Sequence, residues 1–350
     1  MEKQALLFDI PAGPPTTRTI ALTVKNGGVA SLDQAQRRAD EARYQEVTCR
    51  SALNRVAGMP FNWTLNPYRG CTHACHYCFA RRYQTQFELG PDDEFSTLIF
   101  VKTNFADVLR RELDKPSWKR ELVAVGTATD PYQPIEGHYK LTRRSLEALL
   151  AARTPIGVVT KGPMVVRDAD LLAELCKGPG CTVHVSVPSI DEDAWRALEP
   201  GTAPPLQRLR AVRTLRRAGV NAGVLMAPVV PGFTTDRRKL EETIRAIADH
   251  EAAFLGVNVL YLKGGTKDHF MEFLRQEFPH LVAGYERLYP GAYASAPYSE
   301  AVRNLVRLLR EKYDVGARPE RRGALRESQE SGNGQDEQDE PVEAQEGFDW

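Results

Sequence analysis

The sequence lacks any long apolar run, and this absence argues against an integral membrane protein. The N-terminal segment MEKQALLFDIPAG carries acidic residues early and has no uninterrupted apolar stretch. We therefore expect neither a secretion signal nor a transit peptide, and we predict a cytoplasmic protein without a membrane segment. Cysteine is also scarce, because six cysteines in 350 residues are too few for a disulfide-bonded scaffold.

Net charge is absent as well, since the 46 basic residues equal the 46 acidic ones. The balance hides an asymmetry: residues 327–350 carry nine acidic side chains and no Lys or Arg, which leaves the rest of the chain at +9. Two interpretations are open. The basic body could attract a polyanion such as nucleic acid, with the acidic tail as a competitor, or the charges could form an ordinary solvated surface.

What the sequence does contain, from residue 122 onward, is a regular alternation of short β-branched apolar runs with amphipathic segments. The predicted strands are LVAVGTAT, IGVVTKG, TVHVSVPS, VNAGVLMAP and FLGVNVLYLK, and one more strand is predicted at residues 63–65. The segments between them have helical spacing, as in LTRRSLEALLAAR. Right-handed crossovers between parallel strands then favour an α/β fold, a partial (β/α)6 TIM-type barrel.

The same pattern predicts four regions along the chain. An N-terminal extension covers residues 1–60 and the core barrel covers residues 61–265. A C-terminal helical extension follows over residues 266–316. Residues 317–350 are rich in Gln, Glu, Gly, Ser and Asp, so we expect a disordered acidic tail.

Three of the six cysteines are bunched in the segment NPYRGCTHACHYCFARR. Cys71, Cys75 and Cys78 have the spacing C-x3-C-x2-C, which places three thiolates on one tight loop. A closed zinc site or electron-transfer cluster normally has four protein ligands, so three thiolates leave one metal position open. A zinc site stays an alternative, because His73 or His76 could complete a Cys3His set.

The other cysteines weigh against a zinc module. Cys176 and Cys181 lie about a hundred residues later and flank a GPG turn instead of forming a C-x2-C pair. Together with Cys49, they are most simply interpreted as small buried apolar side chains.

The cysteine loop, with Tyr77 directly before its last cysteine, resembles the signature of the radical S-adenosylmethionine (SAM) superfamily. The segments GTATDPYQPIE, VVTKGP, VSVPSID, EPGTAPPLQRL and APVVPG are similar to the branch that includes spore photoproduct lyase and the proteins called DNA repair photolyases. The resemblance covers roughly residues 61–262.

This resemblance implies the cofactors and the type of reaction. Cys71, Cys75 and Cys78 would each bind one iron of a 4Fe-4S cluster, and SAM would chelate the fourth iron. Reductive cleavage of SAM would give a 5′-deoxyadenosyl radical that abstracts hydrogen from the substrate, in a lyase or transferase type of reaction. A flavodoxin-like or ferredoxin-like protein would supply the electron.

The resemblance also implies a set of residues that contact SAM, most of them at predicted strand ends where a barrel collects its functional groups. Tyr77 would pack against adenine, and Arg208 would pair with Glu199 or with a carboxylate. The full set is Tyr77, Thr127, Thr129, Asp130, Lys161, Ser186 and Arg208. Each has a plainer interpretation, since Asp130-Pro131 is ordinary turn chemistry and Lys161 or Arg208 could be solvated.

One departure from the branch concerns the substrate. Spore photoproduct lyase carries a hydrogen-donor cysteine just before its second-strand Ser/Thr-Asp element, and the corresponding stretch here, VAVGTATDP, contains no cysteine. Three hypotheses follow: a radical SAM enzyme of unknown substrate with nucleic acid as one candidate, a non-enzymatic zinc or iron-sulfur protein that binds nucleic acid through its arginine pairs, and a radical SAM enzyme acting on a protein or small molecule. The arginine pairs could follow a phosphate backbone or form ordinary solvated faces; they are Arg81-Arg82, Arg110-Arg111, Arg143-Arg144, Arg216-Arg217 and Arg237-Arg238.

Overall fold

The computed structural model of this chain describes residues 34–83 and 93–317. Most of the predicted acidic tail and the first half of the predicted N-terminal extension therefore lie outside the described residues. The predicted region boundaries at residues 60, 265 and 316 stay predictions. No helix within the described ranges combines the length and apolar character needed to cross a bilayer.

Within residues 34–83 and 93–317, ten strands form two sheets. They are β1 Arg43–Val47, β2 Leu53–Arg55, β3 Trp63–Leu65, β4 Tyr68–Arg69, β5 Leu98–Lys102, β6 Val123–Val125, β7 Ile156–Thr160, β8 Cys181–Ser186, β9 Ala222–Val229 and β10 Leu255–Val259.

Twelve α-helices are described, together with 3-10 turns at Phe79–Tyr83 and Pro163–Asp168. The helices are α1 Gln34–Glu41, α2 Asp93–Thr97, α3 Phe105–Leu113, α4 Glu136–Tyr139, α5 Leu141–Ala151, α6 Ala169–Lys177, α7 Glu192–Leu198, α8 Pro205–Arg217, α9 Arg237–Asp249, α10 Gly265–Glu277, α11 Pro279–Leu288 and α12 Ala296–Lys312.

The larger sheet has seven strands in the order β10-β9-β8-β7-β6-β3-β2. Its neighbours from β3 to β10 pair in parallel, and β2 adds an antiparallel strand at one edge. The six parallel strands coincide with the six predicted ones, so the predicted mixed α/β fold of partial TIM-barrel type is confirmed. Val158, Val183 and Val224 are fully buried in the core of this sheet, as expected for strands covered on both faces.

The smaller sheet was not predicted from the sequence. Its central strand β5 pairs in parallel with β1 and antiparallel with β4. Strand β4 ends at Arg69, two residues before Cys71, and the Cys71 N–H donates to the carbonyl of Phe95 with an N–O distance of 2.9 Å. The small sheet, through β4, and helix α2, through Phe95, therefore fix the entry of the cysteine loop.

The helices that follow the barrel pack against the other side of that loop. Phe270 and Phe273 on α10 and Tyr285 on α11 form one buried apolar cluster with Cys75 and Tyr77. The cysteine loop is thus enclosed between the small sheet, the barrel and the C-terminal helices.

Candidate cofactor site

A cavity of about 310 Å³ opens where the parallel strands of the barrel end. Thr160 and Ser186, the last residues of β7 and β8, lie in its wall. Most of the residues predicted from the sequence also line it: Cys71, Cys75, Tyr77, Cys78, Thr127, Thr129, Asp130, Lys161 and Ser186. Arg208 does not. Parallel strands bring their carboxyl ends to one rim, which explains why residues far apart in sequence meet there.

The cysteine loop has a backbone that only particular residues allow. Gly70 adopts a left-handed conformation with φ +79°, and a Cβ there would lie 2.6 Å from the carbonyl oxygen of Leu98. Within the loop, the Ala74 N–H donates to Cys71 O and the Cys78 N–H donates to Cys75 O, both at 3.2 Å. These short-range bonds hold the three thiols on one compact turn.

Arg81 stabilises the loop from behind. Its side chain is buried, and its guanidinium donates to the carbonyl oxygens of Cys75 and Ala74, each at 3.1 Å. The same group lies 5.0 Å from the ring centroid of Phe95. Arg81 is therefore part of the loop's own packing, in contrast to the interpretation of the arginine pairs as a solvated or phosphate-binding surface.

The EPG turn that follows α7 seals the loop on a second side. The Gly201 N–H donates to His73 O at 3.0 Å, and the His76 N–H donates to Leu198 O at 3.1 Å. A Cβ at position 201 would overlap the carbonyl oxygen of Thr72. Only glycine permits this close approach of two backbones.

We therefore expect Gly201→Ala to displace the cysteine loop. Overpacking a site enclosed by backbone costs about 1–3 kcal/mol, and the iron content after reconstitution should fall along with stability. Gly284→Ala on α11 is the matched control, because a Cβ there meets no atom within 4 Å. Thermal unfolding and iron analysis of both variants check this; equal behaviour of the two would contradict the close-approach argument.

The burial of the loop thiols favours binding of a cation beside them. Burial raises the pKa of Cys71 well above its usual value and raises that of Cys75 to about 12, although Lys161 opposes the rise at Cys75. Buried thiols of this kind become thiolates when a bound metal supplies the compensating positive charge. The donor set therefore fits an iron-sulfur cluster bound through three cysteines.

The two histidines proposed as a fourth zinc ligand have other partners. His73 Nδ1 lies 3.3 Å from Asp130 Oδ2. His76 Nδ1 lies 3.2 Å from His269 Nε2, and the His76 ring stacks on Phe273 with centroids 4.0 Å apart. Across the described part of the chain, no three His, Cys, Asp or Glu side chains are grouped so as to hold a single metal ion.

Asp130 connects the loop to the barrel. Its carboxylate accepts from Thr160 Oγ1 and from the Lys161 N–H, both at 2.6 Å, and from the Tyr132 N–H at 2.9 Å. Burial alone would raise the pKa of Asp130, but the His73 imidazole and these donors bring it to about 2. Asp130 is thus a buried anion in the cavity wall that joins the ends of β6 and β7.

The threonines before Asp130 are held by two amides that the sequence did not single out. Thr129 Oγ1 donates to Gly70 O at 2.6 Å and accepts from Gln133 Nε2 at 3.1 Å. Asn66, the first residue after β3, donates to Thr127 Oγ1 at 3.3 Å. Asn66 follows the end of a parallel strand, so the rule that identified the wall residues from strand ends also applies to it.

Glu199 is the centre of a buried polar network beside the loop. Tyr77 donates a hydrogen bond to Glu199 Oε1, and Lys161 Nζ lies 4.0 Å from the same oxygen. Arg208 Nη2 donates to Glu199 Oε2 at 2.5 Å. Burial opposes the charged form, but Arg208 and Lys161 hold the pKa of Glu199 below its usual value. This carboxylate therefore orients two of the predicted cofactor contacts.

Arg208 lies behind the cavity wall and is not part of its lining. Four of its five N–H donors bind protein acceptors: Ala203 O and Ser186 O at 2.9 Å, Thr202 Oγ1 at 3.0 Å, and Glu199. It is fully buried and pairs with Glu199, which was one of its two expected partners. Its position indicates an indirect contribution to the site, through Glu199.

The remaining cysteines lie away from the cavity. Cys181 is the first residue of β8, and Cys176 Sγ donates to its carbonyl at 3.3 Å, so both lie at the amino end of the strands. Cys49 is packed in the main apolar core. None of the three stands in for the hydrogen-donor cysteine that the sequence lacks.

Comparison with known proteins agrees with this geometry. The family model described as the Radical SAM superfamily matches residues 65–247. An uncharacterized protein of Mycobacterium tuberculosis is 41% identical over 82% of this chain and 87% of its own length. A radical SAM Nalpha-GlyT isomerase of Pseudomonas phage M6 is 28% identical over 53% of this chain and 37% of its own length.

Among solved structures, spore photoproduct lyase complexed with dinucleoside spore photoproduct has a TM-score of 0.62. It is 18% identical in sequence and covers 82% of this chain and 84% of its own, a likeness of fold. A mutant of that lyase with bound AdoMet and dinucleoside spore photoproduct has a TM-score of 0.61. The superfamily match covers more than half of the chain, so this protein belongs to the radical SAM superfamily, and its cofactors are a 4Fe-4S cluster and S-adenosylmethionine.

Proposed function

We propose that Cys71, Cys75 and Cys78 hold the 4Fe-4S cluster and that the adjoining cavity binds SAM. The main support for this proposal is that the three thiols and the polar strand-end residues line one cavity. When bound, these cofactors supply one-electron cleavage of SAM to a 5′-deoxyadenosyl radical that abstracts hydrogen from the substrate. The chain's own residues position the cofactors and shield them from water, as proteins of this kind do.

Within the cavity, Lys161 is the residue we assign to the SAM carboxylate. It is the cationic side chain that directly follows β7, and its Nζ lies 5.5 Å from the ring centroid of Tyr77. Burial lowers the pKa of Lys161, but the Glu199 carboxylate and Cys75 in its thiolate form outweigh it and raise the value, so the ammonium stays charged at neutral pH. Ser186 and Thr127 then offer hydroxyls to the ribose and the amino group, with Tyr77 against adenine.

Lys161→Ala is expected to weaken SAM binding by about 10- to 150-fold, the loss of one charge-assisted hydrogen bond. Lys177→Ala is the control, because Lys177 is exposed at the far end of α6. Anaerobic equilibrium binding of SAM to the reconstituted proteins measures both. Equal affinity of Lys161→Ala and wild type would refute the assignment of Lys161.

For the substrate, we propose nucleic acid. Spore photoproduct lyase shares this fold and binds a dinucleoside photoproduct, and the body of this chain carries a formal charge of +9 outside residues 327–350. A reducing partner of flavodoxin or ferredoxin type and a cytoplasmic location complete the proposal, because the cytosol keeps thiols reduced. The missing donor cysteine argues for a reaction other than spore photoproduct repair, so we propose a lyase or transferase type of reaction on another substrate.

The substrate proposal is tested by the yield of 5′-deoxyadenosine under dithionite, with and without DNA or RNA. A nucleic-acid substrate should raise the yield above the level without substrate, and the stimulation should decline with salt. Heparin is the matched control, since it offers negative charge without bases. Equal stimulation by heparin and nucleic acid, or none by either, would leave the radical SAM assignment standing and move the substrate to a protein or small molecule.

A further inference from the structure

Two tyrosines stand together at the edge of the cavity. Tyr261, two residues beyond the end of β10, is part of the cavity wall. The ring of Tyr293 lies 4.7 Å from it, centroid to centroid, at an interplanar angle of 45°. The side chain of Tyr293 is 71% exposed. Tyr261 itself is half-buried, so the pair presents one exposed ring and one wall ring beside the cavity, an arrangement that fits a binding surface.

The backbone fixes this pair in place. Tyr261 and Tyr293 form an antiparallel bridge, and the Leu262 N–H donates to Ala292 O at 2.8 Å. Lys267 Nζ donates to the carbonyl oxygen of Tyr289 at 2.9 Å, which ties down the start of the segment that carries Tyr293. The exposed ring is therefore held by structure that exists before any ligand binds, and such preorganisation lowers the entropic cost of binding.

The side-chain amide of Asn258 lies in the same cavity wall as Tyr261. Asn258 on β10 is exposed, and within the described residues its side chain has no hydrogen-bond partner. The ladder between β9 and β10 is irregular at this point: Val257 pairs with Met226 and Val259 with Val229, so Ala227 and Pro228 face one residue, Asn258. A bulge of this kind re-aims side chains and is common beside active sites.

We infer that this edge, formed by Asn258, Tyr261 and Tyr293, binds a nucleobase of the substrate strand. This inference rests on the proposed nucleic-acid substrate and specifies that a base, not the backbone, is bound at the cavity. A base presents a planar face, which stacks on aromatic rings, and a polar edge that pairs with an amide offering one acceptor and two donors. Enzymes that act on bases take a single base out of the stack into such a pocket.

The size of the cavity supports one base over a longer segment. At about 310 Å³ it lies at the lower end of small-molecule pockets, and the cluster and SAM must occupy most of it. The space left for the substrate is then at the rim, where Tyr261 and Asn258 lie, and a single base is small enough to bind there, whereas a duplex is not. The phosphate backbone then stays outside the cavity.

The test is binding of two fluorescent single-stranded DNA oligonucleotides to the reconstituted holoenzyme with SAM. One has mixed sequence, and the other has the same backbone with abasic positions. Tyr261→Ala should weaken binding of the intact strand by about 5- to 150-fold, the loss of one base–aromatic stack. The same substitution should leave binding of the abasic strand nearly unchanged. Tyr261→Phe, which keeps the ring, should bind both strands as wild type does.

Leu308→Ala is the matched control: Leu308 is 56% exposed on α12 and is not part of the cavity wall, so its truncation should change neither affinity. If Tyr261→Ala weakened binding of both strands equally, or did not weaken binding of the intact strand, the base-stacking site would be refuted. The proposal of a nucleic-acid substrate would be unaffected by that result. If the wild type binds neither strand, both the base-stacking site and the nucleic-acid substrate are refuted. 5′-Deoxyadenosine formation without DNA, measured in parallel, shows whether the radical SAM assignment survives.

Discussion

Cys75→Ala is expected to reduce 5′-deoxyadenosine formation to the level of a protein-free control and to remove most of the bound iron. Cys75 is the middle thiol of the loop, lies in the cavity wall and is 4% exposed. A cluster that already relies on three protein ligands cannot lose one and keep both its geometry and its open iron. Anaerobic iron and sulfide analysis with a dithionite-driven cleavage assay measures both quantities.

Cys181→Ala is the matched control for this substitution. Cys181 is also buried, at 7% exposure, but it begins β8 at the end of the barrel opposite the cavity. Its variant should keep wild-type iron content and wild-type cleavage. If Cys75→Ala retained both properties, or if Cys181→Ala lost them, the assignment of the cluster to the C-x3-C-x2-C loop would be wrong.

Arg208→Met should destabilise the protein by about 3–5 kcal/mol, because it leaves the buried Glu199 carboxylate without its main counter-ion. Arg208 is fully buried and Glu199 is 3% exposed. The loss should appear as a lower urea midpoint in anaerobic unfolding followed by circular dichroism. SAM affinity should fall with it, since Glu199 also contacts Tyr77 and lies near Lys161.

The double variant Arg208→Met/Glu199→Gln separates this charge effect from a simple loss of packing. Removing the carboxylate's charge should restore part of the stability lost in Arg208→Met, because an uncompensated charge is no longer buried. A double variant that is less stable than the single one would contradict the interpretation of Arg208 and Glu199 as a charge pair.

The fold could be predicted from the sequence to a large extent because its six parallel strands are buried on both faces. Continuous apolar runs such as the one that ends at Thr160 have no other simple explanation. The small sheet escaped prediction for a physical reason. Strand β1 reads RYQEV and exposes three of its five residues, so it carries no apolar signal and depends on pairing with β5.

The part of the site that could be predicted is the cysteine loop, because three cysteines at this spacing have a recognisable role as metal ligands. The site was not predictable where a side chain acts through contacts distant in sequence. Arg81 reads as half of a basic pair, but it folds back onto the carbonyls of its own loop. Gly201 reads as an ordinary turn residue, and its need for glycine comes from Thr72, which lies 129 positions earlier in the chain. Neither contact has a local sequence signature.

The cofactor assignment is tested most directly by anaerobic reconstitution of the wild-type chain with iron and sulfide, followed by reduction with dithionite in the presence of SAM. We expect a brown protein that contains iron and sulfide in equal amounts and releases 5′-deoxyadenosine and methionine. A colourless protein that contains zinc, or an iron-sulfur protein that leaves SAM intact, would contradict the proposed cofactor site.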